Sequence, residues 1–382
     1  MRKKYYRLDR SGLSRLVELL HQRGYQVYAP RIQNAAFQWQ PIDSLDDLPA
    51  GWTNLSQPAR YRLQHTDSSA LFASWTGPDS LKRLLHPPRV TVTEIQNNGD
   101  GLNIFEQSQP VVRRAFLGVR ACDLAAVAAL DRVLLQDRYV DDIYRAQRSE
   151  TLFIAVHCTS SAETCFCAST HTGPAASSGF DIALTERLTG DFPEYLAESA
   201  SAAGASLLDE LAPPPAPTEW ARESADACKQ AAASQTRAVH PSEAQAVLDR
   251  TFDHPRWDQT ARRCLACGNC TSVCPTCFCV NFEERSSLDG ASAQRLRLWD
   301  SCFTQSFSYI HGGSIRLTPK SRYRQWLSHK LARWQQQFAV PGCVGCGRCI
   351  TWCPAAIDIT EEFAALQAAV HPQPQGATSH GH

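Results

Sequence analysis

The chain has 382 residues, 43% hydrophobic and 20% charged, an ordinary globular mixture long enough for two or three domains. Lys plus Arg and Asp plus Glu both number 38, so the formal charge is zero and neither a nucleic acid nor an acidic membrane is called for as a partner. No run approaches ~18 uninterrupted apolar residues, so no membrane span is expected.

The N-terminus, Met-Arg-Lys-Lys-Tyr-Tyr-Arg, is basic. An amphipathic stretch from Leu8 to Leu20 follows instead of an apolar signal core, and no twin-arginine pattern is present, so a cytoplasmic location is expected. Residues 1–190 read as one mixed α/β domain. Leu13 to Leu20 has helical spacing; Tyr25 to Tyr28, Val90 to Val92 and Leu152 to Val156 have the composition of short strands. Leu124 to Leu135 is an Ala/Leu/Val-rich helix with Asp123 as its expected N-cap. Residues 191–245 shift to Ala, Ser and Glu, interrupted by Pro213-Pro214-Pro215, and read as a linker with helical pieces. Residues 246–365 form a cysteine-dense domain, and 366–382 a Pro/Gln/Gly/His-rich, disordered tail. Within the cysteine-dense domain, Tyr323, Trp326, Leu327, Leu331, Trp334 and Phe338 recur at three- and four-residue steps, the pattern of a basic amphipathic helix packed on a core.

Sixteen cysteines are about 4% of the chain, below the ~8–10% of a disulfide scaffold, and they are clumped, which in a reducing compartment reads as metal binding. The first run is Cys264-Leu-Ala-Cys267-Gly-Asn-Cys270-Thr-Ser-Val-Cys274-Pro275. The second is Cys343-Val-Gly-Cys346-Gly-Arg-Cys349-Ile-Thr-Trp-Cys353-Pro354. Both have spacing two, two, three, then proline, the bacterial ferredoxin pattern in which the fourth cysteine serves the other cluster. The expected ligand sets are Cys264, Cys267, Cys270 and Cys353 for a first [4Fe–4S] cluster, and Cys343, Cys346, Cys349 and Cys274 for a second. Ala266, Gly268, Gly345 and Gly347 keep the ligand loops slim. Leu265, Val273, Val344, Ile350, Trp352 and Ile357 can sheathe the clusters, and Arg348, inside a ligand loop, is expected to raise a potential. The rival is a pair of zinc sites, but zinc favours two pairs of cysteines over two runs of four ending in proline.

Of the other cysteines, Cys122 opens a helix, Cys158 ends a strand, and Cys165 and Cys167 lie in the loop beyond it. These meet at one end of an α/β sheet, where four thiolates would bind a third [4Fe–4S] cluster; buried free thiols are the alternative. Cys277, Cys279 and Cys302 lie between the runs and stay unassigned between a further metal site (with a ligand such as His311), the cluster environment and a redox dithiol. Cys228 stands alone as an inert thiol. The tetrad Thr-Cys-Phe-Cys occurs at 164–167 and again at 276–279.

The 68 residues between Cys274 and Cys343 have a helical look, which resembles the α-helical ferredoxin domain of succinate dehydrogenase and heterodisulfide reductase iron–sulfur subunits. The fold class expected is therefore α+β: an N-terminal mixed α/β domain followed by an α-helical ferredoxin domain. A wider resemblance runs through Tyr61-Arg-Leu63, Gly77-Pro78 with Lys82 and Pro87-Pro88, and Gly118-Val-Arg-Ala-Cys122-Asp123-Leu-Ala-Ala. It continues through Cys165-Phe-Cys167, Asp181-Ile-Ala-Leu-Thr-Glu186, Cys274-Pro-Thr-Cys277-Phe-Cys279, Trp299-Asp-Ser-Cys302 and Cys343-Val-Gly-Cys346-Gly-Arg-Cys349. In these motifs the chain resembles the β subunits of cytoplasmic nickel–iron sulfhydrogenases and the related A subunit of anaerobic sulfite reductase. Ala121 stands where that family usually has proline, and the tract from about 195 to 240 falls outside the resemblance.

The resemblance implies an iron–sulfur electron-transfer subunit with no catalytic residue of its own. Its partners would be a flavin subunit handling NAD(P)H or ferredoxin and a nickel–iron hydrogenase module of small and large subunits, or sulfite reductase subunits. Neither run has the hydrogenase nickel-ligand pattern, and no Gly-x-Gly-x-x-Gly nucleotide loop is present. Two rivals are a self-contained flavin- or dithiol-dependent redox enzyme around Cys277, Cys279 and Cys302, and a scaffold whose clusters are structural.

Overall fold

The computed structural model describes residues 4–106, 110–188, 190 and 192–370. Strand β1 (Tyr6–Leu8) leads to helix α1 (Arg10–Gln22), whose first turn is capped by Asp9 accepting from the Gly12 amide at 2.7 Å. Hairpins β2 (Gln26–Gln33)/β3 (Ala36–Pro41) and β4 (Trp52–Gln57)/β5 (Arg60–His65) follow. Next come α2 (Lys82–Leu85), β6 (Arg89–Asn97) and β7 (Leu102–Glu106). The half closes with β8 (Arg114–Val119), α3 (Ala121–Leu134), α4 (Asp142–Ser149), β9 (Thr151–Val156), β10 (Ile182–Arg187) and β11 (Glu194–Ser199).

Seven strands form one sheet in the order β1-β11-β10-β9-β8-β2-β3. The central four, β2, β8, β9 and β10, are parallel, and β9 (Thr-Leu-Phe-Ile-Ala-Val) is buried along its whole length, as a strand covered on both faces requires. One face packs on Leu13, Leu16 and Leu20 of α1; the other on Leu124, Val127 and Leu130 of α3 and Tyr144 of α4. The carboxyl ends of β8 and β9 deliver Arg120–Cys122 and Cys158 to one edge of this sheet. Helix α3 begins one residue after Arg120, so Asp123 is not its N-cap as expected but lies in the first turn, its carboxylate paired to Arg348 at 2.8 Å.

Residues 192–245, within the stretch expected as a linker, carry a strand of the main sheet as well as helices. Strand β11 pairs with both β10 and β1, and the helices α5 (Ala202–Leu211) and α6 (Thr218–Ala233) bury Leu207, Leu208, Trp220 and Cys228. The proline run, taken as a break, lies along the edge of β1: Arg7 N donates to Pro214 O at 2.9 Å and Ala216 N to Tyr5 O at 3.0 Å. Proline lacks only the donor that an outward-facing edge leaves unused.

The C-terminal third begins with α7 (Pro241–Arg250), α8 (Arg256–Arg263) and the four-residue α9 (Asn269–Ser272). The stretch between the cysteine runs is only partly helical. It contains the hairpin β12 (Val280–Ser286)/β13 (Ser292–Trp299), which turns through Asp289-Gly290, and the two-residue strands β14 (Tyr309–Ile310) and β15 (Gly313–Ser314). β13 pairs with β6 of the N-terminal half, Leu296 opposite Thr91, so the sheet β12-β13-β6-β7 joins the two halves. The expected amphipathic helix is α10 (Pro319–Ser328), a π-helical turn (His329–Arg333) and α11 (Trp334–Phe338); it buries Tyr323, Trp326, Leu327, Leu331 and Trp334. The chain closes with α12 (Arg348–Thr351) and α13 (Ile359–Val370). α13 thus holds residues 366–370 of the expected tail in a helix; 371–382 lie outside the described residues. No helix of the described residues is long and apolar enough to cross a membrane.

Candidate metal centres

The two ferredoxin-type runs fold alike. Gly268 and Gly347 both adopt φ +74° at the mouth of the short helices α9 and α12, and the residues between the first two cysteines, Ala266 and Gly345, adopt φ +52° and +60°. Left-handed residues at these points curl each backbone tightly between successive cysteines. Cys264, Cys267, Cys270 and Cys353, the first expected set, line one cavity with Leu265, Phe303, Tyr323, Trp326 and Ile357. Cys349 of the second set lines it too.

In the second set Cys343 and Cys346 are buried, and Cys349 lies within electrostatic reach of Cys343, Cys346 and Cys274. Burial raises the thiol pKa of Cys343 to about 12 and those of Cys346 and Cys349 above their ordinary value. Cys274 goes the other way. It accepts a hydrogen bond from the Cys277 thiol and outweighs its burial with help from Lys330, whose Nζ lies 3.3 Å from its Sγ, and from the Thr276 hydroxyl at 3.2 Å. Thiols held neutral by burial must release protons to bind iron, so loading of these sets releases acid.

The four N-terminal cysteines also meet. Cys122, Cys158, Cys165 and Cys167 line one cavity with Trp75, Arg120 and Pro174, and Cys346 of the second run lines it as well. Cys122, Cys167 and Cys346 share a buried cluster with Ala126 and Val344. Burial raises the thiols of Cys122 and Cys165, and that of Cys167 to about 11 against the Gln235 amide, which donates to its Sγ at 3.3 Å. The Cys165-Phe-Cys167 loop docks on the second run backbone to backbone. Phe166 N donates to Gly345 O at 2.9 Å, Thr172 Oγ1 to Val344 O at 2.8 Å, and a Cβ on Gly345 would stand 2.6 Å from the Cys167 backbone. Beneath this contact Arg348, fully buried, pairs with Asp123 and donates from Nε to Gly77 O at 3.0 Å.

Of the remaining thiols, Cys277, Cys279 and Cys302 lie within electrostatic reach of Lys330, and the first two also of Lys82, while Cys302 is also a neighbour of Cys270. His311, suggested as a partner for them, is exposed on the β14/β15 turn. Cys228 is buried in α6 near Cys158 and its thiol is raised to about 11 by burial. Among the described residues no three His, Cys, Asp or Glu side chains converge tightly enough to hold a single metal ion. A cavity of about 550 Å³ beside α3 is lined by alanines, hydroxyls, His171 and His240 and by none of the thiols.

The first and third donor sets fit iron–sulfur clusters: thiols only, four or more around each of two apolar-walled hollows, while the second set stands on the mutual reach of its four thiols. Arg348 was expected beside the thiols, but its pairing with Asp123, the buried Lys330 and Lys82 and the Gln235 amide were not. No spacing marks a lysine as buried; of these residues Lys82, Asp123 and Arg348 lay in motifs that drew notice.

The model of a 4Fe–4S dicluster domain matches residues 263–357, which holds both runs. Over 347 residues, 87% of this chain and 90% of the other, the sequence is 27% identical to sulfhydrogenase 2 subunit beta of Pyrococcus furiosus. No solved structure matches the chain. The chain is an iron–sulfur homologue of that sulfhydrogenase β subunit, with a 4Fe–4S dicluster domain in its C-terminal third.

Proposed function

We propose that this chain is the wire of a heteromeric oxidoreductase, relaying electrons between a flavin subunit that handles NAD(P)H or ferredoxin and a nickel–iron hydrogenase module, in the cytoplasm. The ligand sets are Cys264/Cys267/Cys270/Cys353, Cys343/Cys346/Cys349/Cys274 and, for a third cluster, Cys122/Cys158/Cys165/Cys167. A [4Fe–4S] cluster supplies one-electron transfer at a potential set by its charge, hydrogen bonds and exposure. The chain's own contribution is spacing and insulation.

The observation that carries the reading is the sharing of neighbours. Cys349 of the second set lines the cavity of the first, and Cys346 of the second set lines the cavity of the third. This supports a series in which the second set is the middle station. Cys267 is exposed, which makes the first set an entry or exit for electrons. The hydrogenase partner is favoured by the name of the relative, a sulfhydrogenase subunit.

Cys349→Ser tests this in the assembled complex. Electron flow between the partners is expected to stop, while each partner's half-reaction with artificial dyes continues. Loss of the dye reactions as well would make the chain an assembly factor, and turnover of NAD(P)H by the isolated chain would make it an enzyme in its own right.

A further inference from the structure

Two lysines are buried beside the second ligand set, and nothing assigned so far uses them. Lys330 is 4% exposed and sits in the π-helical turn, which also buries Leu331 and Ala332. Its ammonium lies 3.3 Å from Cys274 Sγ and donates to Thr276 Oγ1 at 2.8 Å and to Gly342 O at 3.0 Å. Lys82 is 3% exposed. It reaches the carbonyls of Thr271 and Ser272, both at 3.4 Å, and lies over the Trp299 ring at 3.9 Å. Among the described residues neither lysine has a carboxylate within ion-pair distance.

A buried ammonium without a counter-charge costs several kcal/mol. Arg348, buried equally deeply beside the same set, has its counter-ion in Asp123. The lysines have only carbonyls, a hydroxyl, an indole face and thiols. The anion that would balance them is a thiolate-ligated iron–sulfur cluster, which is negative when oxidised and gains one more negative charge on reduction. A fixed cation stabilises the reduced form more than the oxidised one and so raises the potential.

The other two sets have their cations at longer reach: buried Arg322 acts on Cys264 of the first, and Arg120 lines the cavity of the third while donating to the carbonyls of Phe72 and Ser74. Among the described residues neither brings a cationic nitrogen within hydrogen-bond distance of a ligand sulfur as Lys330 does, and the third set receives a neutral amide from Gln235 instead. We propose that Lys330, seconded by Lys82, makes the cluster of the middle set the most oxidising of the three, so that electrons rest there between the two ends. This rests on the ligand sets given above.

The test is a potentiometric titration of the full-length chain, purified anaerobically, followed by electron paramagnetic resonance. The middle cluster's signal is the one that Cys349→Ser removes. In the unsubstituted chain it should be the first signal to develop as the potential is lowered. Lys330→Met should lower its reduction equilibrium at least tenfold, 59 mV for one electron, and leave the other signals in place. Lys82→Met should shift it the same way by less, and Lys330→Arg should restore most of the loss. Unshifted potentials in both methionine variants with iron intact would overturn the proposal. So would loss of iron in Lys330→Met together with an unshifted Lys82→Met, since the lysines would then be packing elements. A chain in which Cys349→Ser removes neither iron nor a signal would overturn the ligand sets themselves.

Discussion

The two ferredoxin-type runs share a backbone and differ in what surrounds it. The first run faces outward: Leu265 is 69% exposed and Cys267 is exposed. Its left-handed residue between the first two cysteines, Ala266 at φ +52°, is only partly buried. The second run is enclosed. Thr76 Oγ1 donates to Cys346 O at 3.3 Å, Thr164 and Thr351 hydroxyls meet at 2.9 Å, and Ala59 N donates to Ile350 O at 3.3 Å. At the position of Ala266 it has Gly345, with the Cys167 backbone in the space a methyl would fill. One motif therefore occurs twice, once exposed and once enclosed, and the difference is set by partners distant in sequence.

The largest test of that difference after loss of a ligand is removal of the buried charge under the junction. Arg348→Met leaves the Asp123 carboxylate buried and unpaired, an expected loss of about 3–5 kcal/mol in chemical denaturation of the full chain. The cognate position in the first run is Asn269, which only donates to Trp352 O, and Asn269→Met should cost about 1 kcal/mol. Equal losses would mean the two runs are not differently enclosed.

A smaller and sharper test exchanges the loop residues. Gly345→Ala must place a Cβ 2.6 Å from backbone atoms at φ +60°, so about 2–4 kcal/mol of stability should go, with displacement of the Cys165–Cys167 loop. Ala266→Gly relieves a left-handed alanine and should stay within about 1 kcal/mol of the unsubstituted chain. A tolerated Gly345→Ala would show that the third cysteine group does not dock on the second run.

What could be read from the sequence was what chemistry repeats locally. The two runs, the largely apolar strand β9 and the amphipathic stretch from Tyr323 to Phe338 all announce themselves in short local segments. The convergence of Cys122, Cys158, Cys165 and Cys167 was expected from strand and helix ends and is found in one cavity. The misreadings came from partners far away. Pro213–Pro215 looked like a break, yet serves as an edge beside β1. Alternation in Val280–Ser286 and Ser292–Trp299 around Asp289-Gly290 was a legible hairpin signal, overshadowed by the helical expectation for the tract. Asp123 looked like a cap because Arg348, 225 positions away, cannot be seen from its neighbours.

The most direct measurement of the central claim, three thiol sets each holding a four-iron cluster, is the metal and acid-labile sulfide content of the anaerobically purified full chain. The account predicts about twelve iron and twelve sulfide per chain, four of each per set, falling by about four on Cys122→Ser/Cys165→Ser. About eight iron, unchanged in that variant, would remove the N-terminal station, and zinc in place of iron would contradict the account altogether.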